Sequence, residues 1–515
     1  MHLLSVLRPG NRQRRWIAAV GVATAVVAIG ACGGGSGDAG GSTLTVAVAA
    51  DPRSLVPNSS TAQQEINISE QITEKLIEFN QDASGFEPRL ATEWKQINPT
   101  TLQLTLRKGV TFTNGEPFNA QSAAKSIEIM RKAPAYASFT SMISGAKAVG
   151  DDTLQVTTEK PSGLVLNALA LGSFQYPVDY WAKVGEDGFG SKPIGTGPYE
   201  LSNWTKGTSI TLTANPDYWG GKPSIGTLVF NVVPDKSAQV AAAQSGQADF
   251  IYDVPVGSID TLKAEKDSKL VTRPSNRVYL ISFSELTDTP LKKADVRQAL
   301  QYAIDVPALI KDQLGGYGTP LQGQILPPNY VGFDKSVTAI KYDPAKAKEL
   351  LAKAGYPNGF TVTFKYPSGR YPQDREIGQA IADQLSRVGV KTNQQALESG
   401  TFLTQLTSLK LNDMFFAGYL TAPDAHVMYD QFVTGAPYTY YENTKVDELV
   451  KKEATTVDQK ERQQIFAQIT KIFQQDPPFV PLFQGTDTYV VSNKVSGFTP
   501  RASQFVDYQA LKITG

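Results

Sequence analysis

The chain has 515 residues, of which 41% are hydrophobic and 19% are charged, and its 49 basic residues balance its 49 acidic ones. This composition excludes disorder over most of the length, and it leaves no overall positive field to attract nucleic acid. Two histidines and a single cysteine are too few for multi-histidine zinc sites, cysteine-rich metal sites or disulfide frameworks. At about 150 residues per domain, the length suggests roughly three domains.

The N-terminus has the pattern of an export signal. Several arginines precede an uncharged apolar stretch, residues 16–29. A transmembrane helix needs about 20 residues, so this stretch is too short to span a membrane and suits the core of a signal peptide. It ends in small residues before Cys32, a pattern similar to a lipobox, in which the cysteine receives a diacylglycerol before cleavage. An ordinary signal peptide with an incidental cysteine is the alternative, and twin-arginine export is a second possible route.

We therefore predict a lipoprotein signal peptide at 1–31, lipid attachment at Cys32 and a flexible Gly/Ser-rich tether at 32–42. No second long apolar run follows along the chain. The mature protein is expected at the extracytoplasmic face of the cell membrane, held there by its lipid anchor.

The remainder of the chain mixes strand and helix patterns. Alternating apolar residues predict strands at 43–49, 101–106, 153–157, 209–213, 228–232 and 361–365. Helical periodicity behind capping residues predicts helices that begin near Asn119, Asp343, Asp374 and Asp458, with Gly355 and Gly389 ending the second and third. Because these elements alternate without a strict rhythm or an internal repeat, the fold class is mixed α/β in more than one lobe.

Motifs that carry catalysis are missing from the sequence. It contains no G-x-S-x-G, no G-x-x-x-x-G-K-[ST] and no H-E-x-x-H. Asp151 and Asp152 follow a glycine and fit a solvated turn, and the Gly-Thr-Gly at 195–197 lacks the third glycine of a dinucleotide-binding loop. We therefore predict no catalytic site, no cofactor and no metal site.

Several segments together carry a family resemblance, in order and nearly end to end: residues 87–94, 104–110, 112–120, 193–199, 215–223, 244–249 and 296–305. They include E-P-R-L-A-T-E-W, L-R-K-G-V, F-T-N-G-E-P-F, P-I-G-T-G-P-Y and N-P-D-Y-W. This ordered set resembles the peptide/nickel-type (family 5) extracytoplasmic solute-binding proteins of ABC importers, in particular the dipeptide- and oligopeptide-binding lipoproteins.

The resemblance implies a two-lobed, hinge-linked α/β fold of the periplasmic-binding-protein type, in the large class with an extra small domain. It implies domain I in three parts, domain II inserted early and domain III as the second binding lobe. The corresponding boundaries are 43–86, 193–274 and 486–515 for domain I, 87–192 for domain II and 275–485 for domain III. The ligand would lie between the lobes, and hinge closure would bury it.

The resemblance also indicates where a ligand carboxylate is held. Dipeptide-binding members have an arginine in the loop after a strand, and Arg370 in the loop 367–372 matches it. A guanidinium suits this role because it can engage both carboxylate oxygens. The alternative is a solvated loop arginine.

A second segment corresponds to the site of the ligand ammonium. Peptide-binding members often carry W-x-A-D-Y, with the aspartate on the ammonium; here Phe415 stands for the tryptophan and Gly418 for the aspartate, while Tyr419 keeps its place. We predict all three as ligand contacts, with Tyr419 stacking on the ligand or hydrogen-bonding it. The glycine either puts a free-amine ligand in doubt or moves the anion to Asp424.

Two further residues are candidate ligand contacts. His426 is the only histidine left after removal of residues 1–31, and it would make binding depend on pH. The alternative is a structural or surface role. Asn58 lies in the loop after the first strand.

These patterns predict a monomeric, non-enzymatic substrate-binding lipoprotein. It would capture oligopeptides or peptide-like solutes for an ABC permease and its ATPase subunits, without binding nucleic acid. The alternatives are a non-peptide solute such as an opine, an oligosaccharide or a metal chelate, a sensory or adhesion receptor without a permease, and a hydrolase on the same fold.

Overall fold

A computed structural model describes residues 42–421 and 423–514. Its strands are β1 Ser42–Val48, β2 Ile77–Phe79, β3 Phe86–Pro88, β4 Ala91–Asn98, β5 Thr101–Leu106, β6 Ile143–Ala148, β7 Thr153–Thr158, β8 Tyr199–Thr205, β9 Ser209–Ala214, β10 Ile225–Val232, β11 Phe250–Tyr252, β12 Ser268–Phe283, β13 Thr319–Pro320, β14 Phe360–Ser368, β15 Val390–Glu398, β16 Met414–Leu420, β17 Phe479–Ser492, β18 Val495–Ser496 and β19 Lys512–Ile513. Its α-helices are α1 Gln63–Ser69, α2 Ala120–Lys132, α3 Ala137–Thr140, α4 Val165–Gly172, α5 Val178–Ser191, α6 Lys236–Gln244, α7 Ile259–Lys263, α8 Ala294–Tyr302, α9 Val306–Leu314, α10 Pro344–Lys353, α11 Asp374–Ser386, α12 Ser399–Thr407, α13 His426–Tyr429, α14 Thr444–Ala454 and α15 Gln459–Gln475.

The strands and helix starts that the sequence predicts are confirmed. Each predicted strand overlaps β1, β5, β7, β9, β10 or β14. Asn119, Asp343 and Asp458 cap α2, α10 and α15 by accepting backbone N–H groups of the first turn. Helix α11 begins at Asp374, and its last helical residue lies three positions before Gly389.

The largest sheet joins two separate cores. Its strand order is β15-β14-β16-β12-β17-β11-β1-β10-β9-β8, and β13 pairs with β17. The strands at the β8 end share an apolar core with the C-terminal residues, whereas β14, β16 and the helices α8 to α11 build another core at the opposite end. Strands β12 and β17 contribute side chains to both cores, so they connect the two halves of the molecule.

The pairing of β12 with β17 breaks where the two cores meet. Pro274 pairs with Thr486 and Val278 pairs with Gln484, so three residues of β12 lie opposite the single Gly485 of β17. Extra residues in one strand of a pair interrupt the ladder and redirect side chains, a feature often found beside binding sites. This break positions the cleft described below.

A smaller four-stranded antiparallel sheet has the order β4-β5-β7-β6. Helix α2 packs on it, and their apolar side chains form a third core. All of these elements lie inside the segment 87–192 that the resemblance assigns to domain II. The exact domain boundaries stay a prediction.

The motif residues at 196, 218 and 219 converge on one buried carboxylate, that of Glu74. It accepts hydrogen bonds from the Thr196 and Tyr218 hydroxyls and from the Trp219 indole, each at 2.8 Å. Burial raises the pKa of Glu74, and these three donors oppose the shift. Gly195 lies so close that an added Cβ would be 1.8 Å from the carbonyl oxygen of Ile72. These motifs therefore hold the scaffold together.

Candidate functional site: a charged cleft at the crossing strands

A cleft of about 660 Å³ opens at the break between β12 and β17. Its walls come from both halves: the loop after β11, the break itself, the loop between β14 and α11, and the C-terminal segment around Gln504. Aromatic side chains at one wall support it, since Tyr279 stacks on Phe416 and Phe483 at ring-centroid distances of 5.7 and 4.8 Å. The cleft therefore has one rigid aromatic wall and charged side chains around it.

Arg370 lines this cleft, in a loop whose backbone is fixed. The Asp374 carboxylate is 3% exposed and accepts the backbone N–H groups of Gly369, Arg370 and Tyr371 at 3.0, 2.8 and 2.9 Å. Gly369 has a φ of 80°, which a glycine adopts without strain. The exposed Arg370 side chain donates from Nε to the Tyr371 hydroxyl at 3.1 Å. The backbone that carries this side chain is therefore held in place, and the two terminal nitrogens of the guanidinium remain available to bind a ligand.

A second arginine that lines the cleft, Arg277, lies beside Gly418. An added Cβ on Gly418 would lie 2.9 Å from Tyr279, 3.0 Å from Arg277 Cδ and 3.1 Å from Tyr371. Arg277 Nη1 and the Tyr371 hydroxyl both donate to the Gly418 carbonyl, at 3.2 and 3.1 Å. The absence of a side chain at Gly418 therefore leaves room for the Arg277 side chain.

Two carboxylates, those of Asp487 and Asp253, line the same cleft. Asp487 is 6% exposed, and its Oδ2 has no hydrogen-bond partner among the described residues. Burial raises the pKa of Asp487, and the charge of Asp253 adds to the rise, while the Ser275 and Gln504 side chains and the charge of Arg273 oppose it without cancelling it. Asp253 is exposed and has a φ of 53°, a conformation that non-glycine residues seldom adopt and that often marks functional sites. The cleft thus presents charges of both signs.

A smaller cavity of about 170 Å³ adjoins the cleft and shares Asn276 and Leu420 with it. Its walls are mostly apolar and include Ile66, Phe139 and Phe505. The Oδ1 atom of Asn276 is buried and has no hydrogen-bond partner among the described residues. The size and apolar walls of this cavity would suit one side chain of a bound molecule.

Phe415 and Tyr419, which the sequence predicts as ligand contacts, point into a core in this structure. Strand β16 is buried on both faces, so its side chains alternate between two cores. Phe415 is fully buried against Tyr440, and the Tyr419 hydroxyl bonds Ser282 at 2.8 Å in the same core. Neither side chain lines the cleft.

Asp424 and His426 are also engaged elsewhere. Arg462 donates to both oxygens of Asp424 at 2.8 Å and to Glu453 at 2.8 Å, and His426 Nδ1 bonds the other oxygen of Glu453. Burial lowers the pKa of His426, but the Glu453 bond and charge outweigh burial and raise it. Asp424, which the sequence predicts as an alternative acceptor for a ligand ammonium, therefore already has the Arg462 guanidinium as its cationic partner.

Asn58 is likewise a scaffold residue. It is 2% exposed, accepts from the Tyr176 hydroxyl at 2.6 Å and donates to the Gly172 carbonyl at 3.0 Å. Both polar atoms of its side chain have hydrogen-bond partners within the protein, and Asn58 does not line either cavity.

Cys32 lies outside the described residues. Within the described part, no cluster of metal-ligating side chains occurs, and no helix combines the length and apolarity that a membrane crossing needs.

Sequence reasoning missed Arg277, Asp487 and Asp253. Arg277 and Asp487 lie within strands, and a charged residue in an alternating apolar and polar strand pattern is predicted to face solvent. The pairing of β12 with β17, and the break in it, decide that they face a cleft.

Comparisons with known proteins agree with this architecture. The family model for bacterial extracellular solute-binding proteins, family 5 Middle, matches residues 85–440. The glutathione-binding protein GsiB of Pectobacterium atrosepticum is 28% identical over 508 residues, which cover 94% of this chain and 96% of that protein.

Solved structures are similar over 92% of this chain. The ABC transporter substrate-binding protein CtaP of Listeria monocytogenes matches with a TM-score of 0.84 at 23% identity over 100% of its chain. The periplasmic binding protein DppA of Helicobacter pylori, solved with the peptide STSA, matches with a TM-score of 0.72 at 25% identity over 98% of its chain. The predicted two-lobed α/β fold of periplasmic binding proteins is confirmed, and this protein belongs to the bacterial extracellular solute-binding proteins of family 5.

Proposed function

We propose that this protein is the lipid-anchored receptor of an ABC importer and captures oligopeptides or peptide-like solutes in the charged cleft. Closure of the two lobes about β12 and β17 encloses the ligand, and a membrane permease with its ATPase subunits receives it. The receptor acts as a monomer, and its domains follow the boundaries given above.

The observation that carries this proposal is Arg370, held at the cleft beside the second guanidinium of Arg277. Fork-shaped donors bind carboxylates with two parallel hydrogen bonds, so a ligand with a terminal carboxylate fits this wall. Two related proteins support a peptide-like ligand, since one binds glutathione and the other was solved with a peptide.

The dimensions of the cavities also support a small peptide. Ligand pockets commonly measure roughly 300–1,000 Å³. The cleft of about 660 Å³ lies in this range, and the adjoining 170 Å³ cavity provides apolar space for a ligand side chain.

The proposed location rests on the N-terminal sequence. The basic and apolar residues before Cys32 place lipid attachment at the only cysteine of the chain. A diacyl anchor at Cys32 and the tether at 32–42 keep the receptor at the extracytoplasmic face of the cell membrane.

Calorimetry with the purified full-length protein tests the ligand class. The probes are Ser-Thr-Ser-Ala and glutathione, each with its free carboxylates and with its C-terminal glycine or alanine amidated. Losing one partner of a buried charge pair costs about 2–5 kcal/mol, so Arg370→Ala should weaken binding at least roughly 30-fold. Arg370→Lys should recover part of this loss, because a point charge cannot reproduce the fork.

Amidation should weaken wild-type binding to a similar extent and affect Arg370→Ala much less, since residues that interact show non-additive changes. Arg387→Ala, an exposed arginine just after α11, is the matched control and should leave affinity unchanged. If the losses from Arg370→Ala and amidation simply add, Arg370 does not bind the carboxylate. Absence of binding for both probes, together with a non-peptide ligand found by native mass spectrometry, contradicts the proposed ligand class.

A further inference from the structure

We propose that Asp487, with Asp253 beside it, binds the ammonium group of the ligand in this protein. This inference rests on the proposed function and assigns a role to the carboxylates that line the same cleft as Arg277 and Arg370.

The first argument is the unsatisfied state of Asp487. Buried polar atoms in native proteins nearly always have a hydrogen-bond partner, and exceptions call for a functional or structural reason. Asp487 is nine-tenths buried and lines the cleft, and its Oδ2 has no partner among residues 42–421 and 423–514. An ammonium group entering the cleft supplies a donor for this oxygen and a positive charge beside the carboxylate.

The second argument is the local balance of charge. Arg273 lies opposite Asp487 in the pairing of β12 with β17, and its charge acts on Asp487, yet Arg273 Nη1 and Asp487 Oδ2 each have no hydrogen-bond partner among the described residues. Asp253 adds a second negative charge, and its nearest cation, Lys236 Nζ, lies at 3.9 Å. The backbone N–H of Asp253 donates to the Thr488 carbonyl at 2.9 Å, which fixes the two carboxyl-bearing segments side by side. A buried carboxylate next to a second one favours a cationic partner.

The third argument is that the other two positions predicted for an ammonium-binding carboxylate, 418 and 424, do not offer one. A side chain at Gly418 would meet Tyr279, Tyr371 and Arg277, and the last of these brings a positive charge. Asp424 is paired with Arg462. Among the carboxylates that line the cleft in the described structure, Asp487 and Asp253 are therefore the available acceptors.

A competition experiment tests this assignment. The full-length protein is incubated with an equimolar library of lysine-free tri- and tetrapeptides and their N-acetylated counterparts. Retained peptides are quantified by mass spectrometry. Acetylation removes the charge and adds bulk at the same atom, so the wild type should retain free-amine peptides over acetylated ones by about 30-fold or more.

Asp487→Asn should bring this ratio close to one. The variant should still retain peptides, because Arg277 and Arg370 are unchanged. Asp253→Asn should lower the ratio to an intermediate value. Asp260→Asn, an exposed carboxylate in α7 that does not line the cleft, should leave it unchanged. Because each ratio is measured within one protein sample, it does not depend on the fraction that is correctly folded.

The thermal midpoint without ligand provides a second measurement. Asp487→Asn should raise it, because the variant removes a buried charge that lacks a partner. A ratio that is the same in Asp487→Asn and the wild type, or a wild type with no preference for free amines, overturns the assignment and leaves peptide binding intact. A wild type that retains no peptide of either kind contradicts the proposed function itself.

Discussion

The buried ion cluster around Arg462 gives the most quantitative prediction. The Arg462 side chain is 0% exposed and bridges Asp424 and Glu453, whose side chains are 3% and 0% exposed. Arg462→Met removes the guanidinium that the two buried carboxylates share, so Asp424 loses its cationic partner and Glu453 keeps only His426. Breaking a buried ion pair by removal of one partner costs about 3–5 kcal/mol, so we expect a loss of free energy of unfolding of at least that size.

Guanidinium denaturation followed by tryptophan fluorescence measures this loss. Lys353→Ala is the control, because Lys353 pairs with Glu349 at 2.5 Å and both side chains are exposed, where such pairs contribute about 0–1 kcal/mol. Neutralising the cluster as a whole, by adding Asp424→Asn and Glu453→Gln to Arg462→Met, should restore much of the stability. A loss below about 1 kcal/mol for Arg462→Met, equal to that of a surface pair, would refute the reasoning.

Cys32→Ser should abolish incorporation of radioactive fatty acid and release the protein from the membrane fraction; equal labelling of both proteins contradicts lipid attachment. Gly418→Asp should lower stability by about 1–3 kcal/mol, because its Cβ would lie 2.9 Å from Tyr279, and a thermal midpoint equal to the wild type contradicts this close packing. The pKa of His426 is raised by Glu453, so its contribution to stability is fully present below its unfolded-state pKa of about 6.5 and is lost as the pH rises through the folded-state pKa. The stability difference between wild type and His426→Gln should therefore shrink from pH 6 upward, and a difference independent of pH contradicts the pairing.

Much of the fold was predictable because its determinants are local. Apolar alternation at 101–106 and the cap at Asp343 act over a few residues, and both elements form as expected. The motifs at 193–199 and 215–223 were recognisable because they serve one rigid structure, the hydrogen bonds to buried Glu74. The same motifs say little about the ligand, since they do not reach the cleft.

The candidate site was predictable only in part. Arg370 follows a strand in a loop that a neighbouring Asp374 fixes, so its place in the cleft could be read from a short segment. Phe415 and Tyr419 were expected at the cleft by resemblance, but their strand is central in the sheet and both side chains turn into a core.

The sequence by itself therefore determined the secondary structure, the family and one cleft arginine, because each depends on neighbouring residues or on motifs kept in order. Only the tertiary structure decided which charges face the cleft. Arg277 and Asp487 are far apart in the chain, and the break between β12 and β17 brings them to one cavity. The pairing register between distant strands sets the direction of every side chain on them, and no local pattern encodes that register.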